Sequence, residues 1–380
     1  MANVHEVIFY PVGNGDTSQI ILKNGKRILF DYRHQKKTED GAGPEINLQA
    51  RLKKELDDAG RDYFDVVAFT HGDKDHIVNS TEFFELLHAQ KYQGQGRIKI
   101  KTLWVPAAMI LETATNSEQS AEFVIWRQEA RHRLKQGKGI RVFSKPEKIK
   151  DWLEKAGLAL EDRRDLITDA GKIAPEFNIQ TDEVEFFCHS PFIKHVDEGE
   201  DLRNEASLIF NVRFRQGGHD YDYLAVGDTT WSVLDDIVAT TESHGNMDRL
   251  AWDIYNVPHH CSHRALSDEK GAFETTPENG ARKILLSGKK DCYLVSSSNP
   301  IRNTEEGRKQ KQPPHIQAKK CYEHHLDKVD GRKFLVTMEE PKEKKPEPIV
   351  FEIASGGVTW KRSASIGAAA MTTLVPPRAG

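Results

Sequence analysis

Short hydrophobic runs separated by turn residues dominate the first third of the chain. These runs are rich in the β-branched and aromatic residues that favour strands. Predicted strands lie at Val7–Tyr10, Ser18–Leu22 and Arg27–Tyr32. Asn24-Gly25 separates the last two and tolerates the positive φ angles of a tight hairpin turn. Glu45–Ala59 has hydrophobic residues at helical spacing instead. This part of the chain is therefore predicted to be a small sheet with a helix beside it.

The strand pattern returns along the rest of the chain, interrupted once. Further strands are predicted at Asp65–Thr70, Lys101–Ala107, Val184–Cys188, Ser207–Arg213, Tyr221–Val226, Trp252–Val257 and Tyr293–Ser296. A helix is predicted at Ile77–His88, and charged helices fill an insertion at about 109–178. Phe334–Met338 and Ile349–Ile353 are predicted to form a closing hairpin. We therefore expect one α/β domain over 1–340, a closing strand over 341–360 and a disordered tail over 361–380.

Composition narrows the class of protein. The 380 residues include four cysteines, Cys188, Cys261, Cys292 and Cys321, which lie far apart and read as reduced thiols. No apolar run approaches the ~20 residues that cross a bilayer, and the N-terminus lacks the pattern of a secretory signal. We therefore expect a soluble cytoplasmic protein without a membrane partner.

The charge is unevenly distributed, although the net charge is only −4. One cluster of lysines and arginines lies between Arg127 and Lys150, and a second between Arg302 and Lys320. Two interpretations remain open at this point. The clusters follow a phosphate backbone, or they are helix faces solvated by water.

The strongest chemical signal is His71-Gly72-Asp73-Lys74-Asp75-His76, directly after a predicted buried strand. Four side chains able to bind a metal fall within six positions. Imidazole and carboxylate together suit Zn²⁺, Mn²⁺ or Fe. The alternative is a solvated polar turn that begins the next helix. We predict a metal-binding loop.

Other candidate ligands also follow predicted strands. Asp228 could bridge two ions or cap a helix. His259 and His260 end another strand, and His259 is the first choice as ligand, with its neighbour left to contact substrate or to support a ligand. His189 is either a further ligand or a hydrogen-bonded core residue. Asp31 could orient the histidines or cap a turn.

These motifs resemble those of the metallo-β-lactamase superfamily, most closely the soluble hydrolase domain of ComEC-type competence proteins. The matching segments are Val12-Gly13-Asn14-Gly15-Asp16, Asp31, the 71–76 loop, Asn204-Glu205-Ala206-Ser207-Leu208-Ile209, Gly227-Asp228, Pro258-His259-His260-Cys261-Ser262 and Ser298-Asn299-Pro300. Two departures stand out, because Tyr32-Arg33 and Cys261 replace glycines of the family pattern.

The resemblance implies an αββα metallo-β-lactamase sandwich with a helical insertion and two divalent metal ions, Zn or Mn, at one sheet edge. Expected metal ligands are His71, Asp73, Asp75, His76, His189, Asp228, His259 and His260. Asp73 and Asp75 are also the expected catalytic residues. Residues expected to support the ligands or contact substrate are Asp16, Asp31, His263 and Asn299.

The leading functional hypothesis is a two-metal hydrolase, in which the ions activate a water for attack on a phosphorus or carbonyl centre. The resemblance and the basic insertion favour a phosphodiesterase or nuclease acting on DNA or RNA. Alternatives are hydrolysis of a small phosphoester or cyclic nucleotide, a peptidase or amidase, and a non-catalytic effector subunit of a multi-protein system. Candidate partners are accordingly nucleic acid, a small phosphoester substrate or another protein.

Overall fold

The structure is a computed structural model that describes residues 4–112, 120–191 and 206–362. The predicted disordered tail lies outside the described residues from residue 363 onward. So do residues 204 and 205 of one motif and residues 113–119 of the predicted insertion.

The first sheet contains nine strands in the described ranges, in the order β15-β14-β1-β2-β3-β4-β5-β6-β7. The run from β3 to β7 is parallel, whereas β1, β2, β14 and β15 are joined to it and to one another in antiparallel pairs. Its strands are β1 His5–Phe9, β2 Ser18–Ile21, β3 Arg27–Phe30, β4 Tyr63–Ala68, β5 Lys99–Pro106, β6 Ile140–Phe143, β7 Ile167–Thr168, β14 Ile349–Ala354 and β15 Gly357–Lys361.

The second sheet has six strands in the same ranges, in the order β13-β12-β11-β10-β9-β8. The run from β10 to β13 is parallel, and β8 and β9 continue it in antiparallel pairs. Its strands are β8 Val184–Ser190, β9 Ile209–Gln216, β10 His219–Val226, β11 Trp252–Asn256, β12 Gly288–Ser296 and β13 Lys333–Val336. The parallel runs of both sheets bring the carboxyl ends of several strands to one edge.

Helices cover the outer face of each sheet. Against the first sheet lie α1 Leu48–Asp58, α2 Lys74–Ile77, α3 Ser80–Phe83, α4 Ala107–Leu111, α5 Ala121–Gln136 and α6 Pro146–Lys155. On the side of the second sheet lie α7 Trp231–Ser243, α8 Asn279–Leu285, α9 Glu305–Lys309 and α10 Ile316–Lys328. The predicted αββα sandwich is confirmed.

Strand periodicity explains the layers. In β1, Val7 and Phe9 pack between the two sheets, and Ile8 between them points to the helices, because successive side chains of a strand face opposite ways. On α1, Leu48, Leu52 and Leu56 are fully buried at intervals of four residues and cover that outer face. Each sheet is thus apolar on both faces, which leaves polar side chains to gather at the strand ends.

Three predictions about elements were wrong. The helix Ile77–His88 is instead two single turns, α2 and α3, because Val78 is extended (ψ 130°) and ends the first turn, and Asn79 is left-handed (φ 61°) before the second. The insertion is not purely helical, since β6 and β7 extend the first sheet.

The closing hairpin was also wrong, because its two strands belong to different sheets. Strand β13 pairs parallel with β12 in the second sheet, and β14 pairs antiparallel with β1 in the first. The charged segment between them is long enough to carry the chain across the ~10 Å that separates packed sheets.

Among the described residues, every helix is too short or too polar to cross a bilayer.

Candidate metal centre

Four acidic and imidazole side chains from separate parts of the fold meet at one edge of the sandwich. Asp16 lies between β1 and β2, His76 in α2, Asp228 just after β10 and His260 just after β11. Their ligand atoms all lie within 4.8 Å of one another, and all four residues are buried. Carboxylate and imidazole are common ligands of Zn²⁺ and Mn²⁺, so this group could hold a divalent cation.

Asp228 lies at the centre of the group. Its Oδ1 lies 3.4 Å from Nε2 of His76 and 3.5 Å from Nε2 of His260. Its Oδ2 lies 3.6 Å from Nε2 of His259. One carboxylate thus faces imidazoles on both sides, which is the arrangement expected of a group that bridges two cations.

Buried polar atoms without partners indicate that the site fits a metal. Nε2 of His71, Nε2 of His76, Nδ1 of His259 and Oδ1 of Asp228 are all buried and have no hydrogen-bond partner. Buried polar atoms normally have one. Two atoms that each ligate one ion at ~2.1 Å with tetrahedral geometry are about 3.4 Å apart. The separations around Asp228 therefore match ligands that share a cation better than they match direct hydrogen bonds.

Asp31 holds His76 in place from behind. Its Oδ2 lies 2.7 Å from Nδ1 of His76, while its two oxygens accept hydrogen bonds from the backbone N–H of Thr70 (2.7 Å) and from the hydroxyl of Thr70 (2.6 Å). Asp31 itself has a positive φ of 54°. A carboxylate on Nδ1 fixes the tautomer that leaves Nε2 free to bind a metal.

A left-handed turn presents the two consecutive histidines to Asp228. His259, His260 and Cys261 have φ angles of 49°, 52° and 63°. Each such residue costs about 1–2 kcal/mol relative to a right-handed conformation. Nδ1 of His260 lies 2.9 Å from the carbonyl oxygen of Ser297, which leaves its Nε2 directed into the site. His259 and His260, both candidate ligands from the sequence, thus both face Asp228.

The remaining acids of the 71–76 loop flank this group. Oδ2 of Asp75 lies 3.1 Å from Nε2 of His260. Oδ2 of Asp73 lies 3.8 Å from Nε2 of His71, and the Asp73 side chain is one-third exposed. The rings of His71 and His76 are 3.9 Å apart between centroids. All four metal-type side chains of the loop therefore lie at the site, with both aspartates about one-third exposed and both histidines buried.

The charges of neighbouring side chains, together with burial, set the protonation states of the residues in this group. Burial opposes charge on His260, but Asp228, Asp75 and Asp16 together raise its pKa to about 9. Burial likewise opposes charge on His76, and the nearby carboxylates raise its pKa well above the usual value. Burial, with the charges of Asp228 and Asp31, raises the pKa of Asp16 to about 6, although His260 and His76 oppose the shift. A divalent cation must therefore displace protons from imidazoles to bind here.

Three expected site residues lie outside the group around Asp228, and one of them, Asn299, has its side chain next to that of Arg33, across Gly13. Nε2 of His189 is 3.0 Å from the carbonyl oxygen of Arg249, and burial lowers the pKa of this histidine to about 4. The ring of His263 packs on His315, with centroids 4.7 Å apart. The backbone N–H of Asn299 donates to the side chain of Asn14. The structure brings none of the three into the group around Asp228.

Two features of the site escaped the sequence argument. Asp16 was expected to support ligands, yet it belongs to the four-residue group; its position after Gly13-Asn14-Gly15 was the available signal. Arg33 lies beside the 71–76 loop. Its side chain and the carbonyl oxygen of Asp75 both approach Gly15 so closely that a Cβ on this glycine would overlap them. The replacement of a family glycine by Arg33 was the signal for this cation.

Comparison with known proteins gives similarity in structure only. No family model matches the chain, and no curated protein does. Similar solved structures include a diphosphatase of the PhnP family, 12% identical, which covers 92% of this chain and 98% of that chain with a TM-score of 0.33. Unliganded yeast PDE1 is 11% identical, and the match covers 88% of this chain and 97% of that chain with a TM-score of 0.41.

A third similar structure is the class B3 di-zinc metallo-β-lactamase LRA-12 from an Alaskan soil metagenome. It is 12% identical and covers 85% of this chain and 90% of that chain, with a TM-score of 0.28. Similarity this low does not transfer a function. The closer resemblance to competence proteins therefore stays a prediction.

Proposed function

We propose that this chain is a metal-dependent hydrolase with two divalent cations that cleaves phosphodiester bonds in DNA or RNA. The observation that carries the proposal is the position of Asp228, each of whose two oxygens faces at least one imidazole. A single buried carboxylate in that position supports a pair of cations, as expected for two-metal hydrolysis.

The ligands divide into two sets around Asp228. Asp16, His76 and His260 would hold one cation together with Oδ1 of Asp228. His71, Asp73 and His259 would supply ligands for the second together with Oδ2 of Asp228, so that this carboxylate serves both sets. The unpartnered Nε2 of His71 supports this second set, because it is a buried atom that needs a partner.

When bound, the cations supply an activated water and neutralise charge on the attacked group. Asp75 is the residue placed to orient that water and accept its proton, since Oδ2 points into the site beside His260. Burial raises the pKa of Asp75, but the neighbouring imidazoles outweigh it and hold the pKa well below its usual range. Asp75 is therefore ionised at neutral pH, as a proton acceptor must be.

Arg33 favours a phosphate substrate over an amide. Its guanidinium lies beside the site and donates to the carbonyl oxygen of Val12. Burial lowers the pKa of Arg33, and the charges of Asp75, Glu45 and Asp16 oppose that effect. A fixed arginine next to a metal centre can pair with a phosphate oxygen, for which the planar guanidinium is well suited.

The test is hydrolysis by purified protein in Mn²⁺ or Zn²⁺. Substrates are single- and double-stranded DNA, RNA, a cyclic nucleotide, a peptide and bis(p-nitrophenyl) phosphate. We expect cleavage of a polynucleotide and of the model diester, and a loss of more than about a hundredfold in Asp228→Ala, because even outer-sphere partners of a metal are worth 10–100-fold.

The matched control is Asp58→Ala, an exposed aspartate on α1 that pairs with Lys54. It should retain full activity. Cleavage confined to the cyclic nucleotide or the peptide would replace the nuclease assignment, and no turnover of any substrate by a metal-loaded protein would favour a non-catalytic role.

A further inference from the structure

A cationic groove with an aromatic wall lies between α5 and α6, away from the metal centre. It has a volume of about 740 Å³. Its lining includes His88, Arg131, His132, Lys135, Trp152 and Lys155. Among the described residues that line this α5–α6 groove, none is a carboxylate.

Helical spacing places these side chains together. Arg131, His132 and Lys135 occupy positions i, i+1 and i+4 of α5, with Gln128 one turn before them, so all four lie on one helix face. Trp152 and Lys155 are one turn apart on α6. Part of the basic cluster between Arg127 and Lys150 therefore lines a concave surface and is not only a solvated helix face.

His88 pairs with Glu129 at 2.9 Å, but the arginine and the two lysines of the groove have no acidic partner among the described residues. Nε and Nη2 of Arg131 donate to the carbonyl oxygen of Ile110, at 2.9 and 2.7 Å. Within the described part of the chain, no carboxylate forms an ion pair with Lys135 or Lys155. Lys150 differs, because it lies on α6 outside the groove and pairs with Glu154 at 3.7 Å. Positive charge is thus concentrated on the groove itself.

Trp152 adds a stacking surface to this charge. The guanidinium of Arg131 and the ammonium of Lys135 each lie 5.8 Å from the centroid of its ring. A half-buried indole flanked by cations matches a nucleotide, because a base stacks on the ring while phosphates pair with the lysines. An acidic peptide would use the charge and leave the ring without a matching partner.

We propose that the α5–α6 groove binds single-stranded nucleic acid. Its role as a second contact for the strand that is cleaved rests on the proposed function. The geometry suits that role, because Phe123 on the first turn of α5 packs against Gly72 of the metal-binding loop. Arg131 follows eight residues later, about 12 Å along the same helix. A strand a few nucleotides long can reach both places.

The test is fluorescence anisotropy of labelled single-stranded DNA and RNA, with chelator present so that no cleavage occurs. We expect binding that weakens with salt, with Lys135→Glu and Lys155→Glu each lowering affinity about tenfold or more. Trp152→Ala should also cost about tenfold, and Trp152→Phe should restore most of the affinity because it keeps a stacking ring. The matched control, Lys150→Glu, should bind like the wild type.

Binding and hydrolysis report separately. The groove variants should cleave bis(p-nitrophenyl) phosphate at the wild-type rate, which also shows that they fold, and should lose only activity on polynucleotides. Equal affinities of Lys155→Glu and Lys150→Glu for the strand would overturn the proposal that this groove binds nucleic acid, even if the protein is a nuclease. Displacement of the labelled strand by an equal concentration of poly-glutamate would also overturn this proposal. If the groove variants weaken binding while no substrate is hydrolysed, the groove stands and the proposed function fails.

Discussion

Asp228 shows how a single residue organises the site. It is buried at the end of β10, and its neighbouring imidazoles hold its pKa well below the usual range although burial opposes this. An ionised carboxylate in a buried position is unfavourable unless it is compensated. Here imidazoles surround it on both sides, and a buried carboxylate with an unpartnered oxygen is best explained by a cation.

Asp31 should control metal affinity without contacting the metal. Asp31→Ala removes the acceptor on Nδ1 of His76 and both acceptors for Thr70. We expect affinity for Zn²⁺ or Mn²⁺ to fall about 10–100-fold, measured by titration with a competing chelator. Asp31→Asn keeps one acceptor and should lose less. Unchanged affinity in Asp31→Ala would show that His76 does not need this support.

His189 should prove structural. Its pKa of about 4 lies below the ordinary 6.5, so the unfolded chain takes up a proton that the folded chain refuses. Stability from this residue is therefore present above pH 6.5 and lost as the pH falls toward 4, by about 2 kcal/mol between pH 7 and 5.

The test is His189→Gln, which keeps an N–H donor for the Arg249 carbonyl. Urea unfolding with chelator should show a shallower loss of stability on acidification than in the wild type. Metal content at pH 7.5 should stay the same. A variant that loses metal would return His189 to the set of ligands.

At the scale of elements, α5 is tied to the metal-binding region by one acidic side chain. Glu122 accepts hydrogen bonds from the backbone N–H of Asn79 (2.6 Å) and from the backbone N–H and hydroxyl of Thr81. These bonds fix the start of α3, the short turn that follows the one carrying His76. A helix of the insertion thereby supports the loop that carries most of the candidate ligands.

Glu122→Gln should destabilise the protein. Both carboxylate oxygens of Glu122 accept hydrogen bonds, and the NH₂ group that replaces one of them in glutamine cannot accept. We expect a loss of about 1–3 kcal/mol in the free energy of unfolding, the cost of an unsatisfied buried group. The control is Glu82→Gln, an exposed residue paired with Lys36, which should change stability by less than about 0.5 kcal/mol. Equal effects of the two substitutions would remove the structural role of Glu122.

The sequence predicted elements well where the hydrophobic pattern is local. It predicted α1, α5 and α6 and most strands, because periodicity reflects the face that each element buries. It could not show that β13 and β14 join different sheets, since pairing partners are not written in either segment. It missed the break at Asn79 because a left-handed residue inside a polar run leaves little trace.

Candidate ligands could be found by their position after strands, but their geometry could not. Asp228 and His259–His260 are more than 20 residues apart, and only the parallel pairing of β10 with β11 brings them together. His189 has the same local signal as the others, yet its strand, β8, lies at the far edge of the second sheet. Position in the sheet therefore decided which histidines meet.

At the scale of the whole molecule, the site lies where both sheets end, so cation binding should stabilise the entire sandwich. Its effect should grow with pH. The pKa of His260 is raised to about 9, so without a cation the stability from this group is present below pH 6.5 and lost as the pH rises through 9. Bound metal removes that loss, because it replaces the proton.

Urea unfolding at pH 6, 7.5 and 9 tests this dependence. The difference in unfolding free energy between metal-loaded and chelated protein should increase by about 2–3 kcal/mol from pH 6 to 9. In His260→Gln the chelated protein should show a flatter profile. A difference that is constant with pH would mean that these imidazoles do not exchange protons for metal.

The most direct measurement is the metal content of the purified protein after equilibration with Zn²⁺ or Mn²⁺ and removal of free metal, by mass spectrometry of the metals. We expect two ions per chain in the wild type and in the surface control Asp58→Ala, and less than one in Asp228→Ala with its fold intact. A wild-type protein that retains no divalent metal, or an Asp228→Ala protein that retains both ions, would contradict the account.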